Sequence, residues 1–108
     1  RQGHKLQVFA TTVNRIPNLG IGPDHAGVFE TTLLHALFPQ LVQIDRLPTR
    51  RKAPLAPGDT WADGRHDPSH PIWGVIGPDP RNFESARSQT LLDDCVAWLA
   101  GEARRRRS

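Results

Sequence analysis

The 108-residue sequence has no methionine, no tyrosine and a single cysteine, Cys95. One thiol excludes an intrachain disulfide, so nothing covalent staples the fold, and the chain suits a reducing compartment such as the cytoplasm. No apolar run approaches the ~20 residues that a membrane-spanning helix needs, so no membrane partner is expected. The opening residues, Arg1-Gln2-Gly3-His4, hold neither an initiator methionine nor the apolar core of a secretory leader. Such a start is expected of a chain cut from a longer one. Charge of one sign is also scarce. The formal net charge is +3, and Arg104, Arg105, Arg106 and Arg107 supply it. Without that basic tail, residues 104–108, the chain is nearly neutral. A nucleic-acid surface spreads cations over a face and interleaves them with aromatics, so nucleic acid is not an expected partner. The tail reads as a helix end whose cations complement the dipole, with a polyanion contact as the other reading.

Proline and glycine are plentiful, ten and nine, and they punctuate the chain. Residues 5–13 are rich in β-branched and aromatic side chains and read as a strand. Leu6, Val8 and Ala10 fall on one face with Phe9 and Val13 on the other, as in an α/β sheet covered on both sides. Residues 14–23 form a loop. Residues 24–38 carry Phe29, Leu33, Leu34, Leu37 and Phe38 at three- and four-residue spacing and read as a helix. Asp24 is placed to cap it, and Pro39 ends it. Leu41, Val42 and Ile44 suggest a short extended piece. Residues 46–79 read as a long surface loop, with Ile72-Trp73-Gly74-Val75-Ile76 as an apolar island able to dock on the body. Residues 85–105 read as a second helix, capped by Ser85 or Asn82, with a buried stripe of Leu91, Leu92, Cys95, Val96 and Leu99 and with Trp98 near its edge. Two helices and a strand or two make a poor autonomous core, so a fragment or an obligate oligomer is expected.

Chemistry concentrates at Asp24-His25-Ala26-Gly27-Val28-Phe29-Glu30-Thr31-Thr32. A histidine where a glycine-rich loop meets a helix is exposed beside free backbone N–H groups and exchanges protons near neutral pH. Glu30, one and a half turns on, is placed to orient a ring or accept from an amide. From spacing alone, His25 reads first as an ordinary surface or hydrogen-bonded histidine and Glu30 as a solvated or buried structural carboxylate, with catalysis the minority reading.

The run from His25 to Thr32, followed by Leu33, Leu34, Pro39, Leu41 and Val42, resembles the creatininase family, whose pattern is His-(Ala/Gly)-Gly-x-x-Glu-Thr-Ser before a helix ending in Pro-x-Leu-Val. Thr32 replaces the usual serine and keeps the hydroxyl. A second, looser patch is Gly77-Pro78-Asp79-Pro80, where the family has Gly-Asp-Pro and Pro78 looks inserted. The family's Lys-Gly early in the final helix stands here as Arg87-Ser88.

The resemblance implies an α/β fold, with residues 1–108 as the C-terminal part of one three-layer α/β/α domain built on a mainly parallel sheet. It implies a hydrolase of an amide or related C–N bond in a small molecule or peptide. Two divalent metals, zinc or manganese, are implied, with ligands upstream of this chain and none within it, and so is a homo-oligomer. On that resemblance His25 is the general acid/base or a substrate contact, and Asp24 and Glu30 support it. Creatinine-cleaving members carry a Trp-Asp pair at the substrate-binding positions held here by Ile21 and Gly22. An aromatic wall and a carboxylate anchor are both missing, so creatinine is not the expected substrate. The alternative is a non-catalytic assembly subunit derived from the same fold.

The remaining candidates read as structural. Gly3-His4 echoes a metal motif of the family, but its place in the chain is too late. His66, Asp67 and His70 lie in a proline-rich loop, without the helical geometry that makes such spacing useful for a metal. His35 reads as a partly buried packing residue and Cys95 as a small core residue.

Overall fold

The computed structural model describes residues 6–22, 24–55, 61–63 and 66–107. Helices and turns dominate, with little strand. Helix α1 spans Val28–Leu37 and helix α2 spans Ser88–Arg107. Strands β1, Trp61–Asp63, and β2, Ile76–Pro78, pair antiparallel with Ala62 opposite Gly77. Short 3-10 turns fall at Val13–Arg15, Pro39–Leu41, Ile44–Arg46, Pro80–Asn82 and Ser85–Arg87.

The expected strand over residues 5–13 is not formed. Lys5 lies outside the described residues, residues 6–12 are irregular, and Val13 begins a 3-10 turn. A strand apolar on both faces needs a covered sheet around it. Here Leu6 and Val8 are 89% and 80% exposed, and the described residues contain no parallel sheet. The expected extended piece at Leu41, Val42 and Ile44 is instead two 3-10 turns. The middle loop holds more order than its composition suggests, since both strands lie within it. Its apolar island is buried only in part: Ile72 and Val75 are buried with Leu55 of the same loop packed against them, Trp73 is exposed, and Ile76 reaches the body through its backbone bridge to His25.

Helix α1 begins four residues later than its pattern predicts. Ala26 adopts a left-handed φ of 57° and Gly27 is extended, so the helical ladder starts only at Val28. It ends as expected before Pro39, with the Phe38 N–H donating to the Leu34 carbonyl. Helices α1 and α2 pack on each other. Phe29, Thr32, Ser88 and Leu91 are buried. The Ser88 hydroxyl meets His35 Nδ1 at 2.9 Å, and the His35 ring lies 5.2 Å from that of Phe83. His35 is thus the packing histidine its surroundings predicted.

The rest of the two apolar stripes is not buried. Leu34 and Leu37 on α1, Phe38 just after it, and Val96 and Leu99 on α2 are exposed, and Leu33, Leu92 and Cys95 are half-buried. The chain measures 66 × 28 × 25 Å, with a radius of gyration of 17.7 Å. A compact domain of this length has one near ~13 Å, so the helices do not close a full core. The arginine run is the last turn of α2. Arg105 and Arg106 pair with Glu102, and Arg106 lies over the Phe9 ring. Among the described residues no helix is long and apolar enough to cross a membrane.

Candidate functional site

The site grows from one carboxylate. The first turn of a helix leaves backbone N–H groups without intrahelical partners. Asp24 Oδ2 accepts from the Phe29 N–H at 2.8 Å, and Oδ1 accepts from the Glu30 N–H at 3.1 Å. Asp24 therefore caps α1 as its position predicts, although it lies four residues before the helix starts. Glu30 completes the junction by reaching back, its Oε1 accepting from the Ala26 N–H at 3.1 Å. The pair works as a capping box stretched over a longer spacing. Gly27 sits inside this loop because nothing larger fits. A Cβ there would stand 2.7 Å from the Asp24 carboxyl carbon and 2.8 Å from the Pro78 carbonyl oxygen.

His25 is held by its backbone on the other side. Its N–H donates to the Ile76 carbonyl at 2.8 Å, and the Ile76 N–H donates back to the His25 carbonyl at 2.9 Å. The residue as a whole is exposed. Asp24, His25 and Glu30 are thus brought together, with both carboxylates bound to backbone amides. Ile21 is half-buried and Gly22 exposed, in the loop that leads to this junction. An exposed imidazole on a fixed backbone, beside a helix N-terminus, is an arrangement suited to proton transfer or to holding a polar substrate.

One anchor was not foreseen from the sequence. Asp79 and Arg81 form a buried ion pair at 3.0 Å. The third guanidinium nitrogen, Nη1, donates to the carbonyls of Pro48 and Ala53, pinning the start of the middle loop. Burial is the strongest single influence and works against the charge on Asp79, while hydrogen bonds from the Arg81 side chain and backbone work for it. The Arg81 and Arg50 charges add to them and hold the carboxyl below the usual range. The available signal was Asp79-Pro80, an acidic residue before a proline-led turn.

The other candidates serve local structure. Asp67 accepts from the Ser69 hydroxyl and N–H, which lower its pKa, and His70 Nδ1 accepts from the Ile72 N–H. Burial, with Asp94 adding to it, pushes the Cys95 thiol up, so it stays protonated at neutral pH and is a poor nucleophile. His4 lies outside the described residues. Among the described residues, no three His, Cys, Asp or Glu side chains gather closely enough to hold a metal ion. The donors present therefore do not fit the two-metal centre that the resemblance implies.

The chain is similar to creatinine amidohydrolase of Pseudomonas putida, with 32% identity over 92 residues, covering 80% of this chain and 32% of that protein. The chain thus spans about a third of the length of the curated relative it matches. No family model matches it, and no solved structure does. The likeness is distant and partial, and it supports a relationship to creatininase-type hydrolases.

Proposed function

We propose that the chain is the C-terminal portion of a creatininase-like hydrolase that opens an amide or related C–N bond other than that of creatinine. The observation that carries this reading is the junction at His25. Its exposed side chain stands on a backbone fixed by Ile76, beside a helix start tied down by Asp24 and Glu30. The likeness to a creatinine amidohydrolase supplies the reaction class. In this reading His25 accepts the proton of the attacking water and returns it to the leaving nitrogen, or it contacts the substrate directly. Asp24 and Glu30 hold the loop rather than touch the reacting atoms. Ile21 and Gly22 line the substrate side, and lacking a Trp-Asp pair they disfavour a guanidine-like ring. The two divalent ions, zinc or manganese, and the parallel sheet of a three-layer α/β/α domain would come from the remainder of the full-length protein, a homo-oligomer. No step is assigned to the ions from the residues present.

A second reading is favoured by the exposed apolar residues of α1 and α2. It makes the chain part of a non-catalytic assembly subunit. Hydrolysis of a panel of cyclic and linear amides and short peptides by the full-length protein separates the two. The hydrolase reading expects turnover, with His25→Ala lowering kcat by ~10²- to 10⁴-fold, the usual worth of a general acid/base. An absence of turnover by the parent protein supports the assembly reading.

A further inference from the structure

We infer that Gly77 is a positioning residue for His25, acting through Asp24. The inference rests on the role proposed for His25, but its argument is geometric. Strand β2 is shared between two neighbours. One edge pairs with β1, placing Asp63 opposite Ile76, and Ile76 also exchanges both backbone hydrogen bonds with His25. Two hydrogen bonds fix the height of His25 along β2. They leave free the rotation of the loop about that bridge, and with it the direction of the imidazole. Asp24, the preceding residue, is held from two sides. Its carboxylate is bound to the first turn of α1, and its Cβ lies against Gly77. A Cβ at Gly77 would stand too close to the Asp24 Cβ, a backbone-proximal atom that cannot swing away as a side-chain tip can. Gly77 also has a φ of +131°, outside the range that residues with a side chain adopt comfortably. The glycine therefore lets β2 approach closely enough to trap Asp24 between a strand and a helix start, and that trap sets where His25 points.

Gly74 provides the control. Its φ is +98°, yet nothing lies within 4 Å of a Cβ built there. Gly74→Ala thus carries the backbone strain without the collision. The test uses the isotope-labelled full-length protein and reads the His25 imidazole resonances and the exchange rate of its backbone N–H. Gly77→Ala is expected to shift the ring resonances and to speed exchange of the His25 amide at least ~10-fold, as local opening does. Gly74→Ala is expected to leave both near the parent values. A double-mutant cycle keeps the test decisive if Gly77→Ala folds poorly. In the Asp24→Gly background the collision partner is gone, and Gly77→Ala should then move the His25 resonances by less than half as much. Parent-like resonances in Gly77→Ala, equal effects from Gly74→Ala, or an undiminished effect in the Asp24→Gly background would each overturn the inference. These readouts need no substrate, so they stand apart from the hydrolase reading. Where turnover is measurable, Gly77→Ala should lower kcat ~10- to 100-fold with KM little changed, as misplacement of a reacting group does.

Discussion

Asp24 satisfies two backbone donors with one carboxylate, and the junction depends on such local detail. Asp24→Ala leaves the Phe29 and Glu30 amides without their acceptor. It should lower stability by about 1–2 kcal/mol, the usual worth of a cap, while Asp24→Asn costs less. Urea unfolding followed by circular dichroism measures both. Ala26 holds a left-handed φ of 57° despite its Cβ. Ala26→Gly relieves that strain and should raise stability by about 1 kcal/mol in the same assay, in keeping with the family pattern that admits glycine there. Asp79 sets an acid dependence. Its folded-state pKa is depressed, so the stability it contributes is present above the ordinary carboxylate value of about 3.9 and is lost as pH falls through the folded value. Asp79→Asn should flatten that acid limb; an unchanged slope below about pH 4 would contradict the assignment. The cap at Asp24 and the packing of His35 were readable in the sequence because both follow from local chemistry. The anchoring of Arg81 to the Pro48 and Ala53 carbonyls was not, because those residues are distant from it in the chain.

The two helices were legible from their spacing, but the extent of their burial was not. Periodicity reports which face is apolar, not whether something covers it. Leu91 is buried, whereas Leu99 on the same stripe is 48% exposed. Leu91→Ala should therefore cost about 2–5 kcal/mol, and Leu99→Ala about 0.5 kcal/mol or less; thermal unfolding of the two variants distinguishes them. Equal costs would mean that the far half of α2 is covered. The strand reading of residues 5–13 failed for a related reason. A strand is stabilised by its neighbours, and propensity cannot supply them. Strands β1 and β2 were hidden in the opposite way, because proline and glycine in the middle loop masked two short pairing segments. The delayed start of α1 traces to Ala26 and Gly27, which leave the helical region although their neighbours fit the helical period.

The chain as a whole has an ordered junction and an incomplete core. Among the described residues, the buried apolar side chains Ile72 and Val75 cluster in the middle loop, while Phe29 lies on α1 and Leu91 on α2, and large apolar side chains are exposed on both helices, in residues 6–13 and at Leu41 and Trp73. On the proposed reading, the resemblance at His25 and the match to a third of a creatinine amidohydrolase belong to a segment that carries part of a reaction site and relies on other chain for the rest. The parallel sheet implied by the resemblance is not formed by the described residues, whose two strands pair antiparallel. Metal content of the full-length protein, measured by mass spectrometry after purification without chelators, tests the hydrolase reading most directly. The reading predicts about two divalent ions per chain, as a two-metal hydrolytic site requires. A full-length protein that binds none, even after incubation with zinc or manganese, would contradict it.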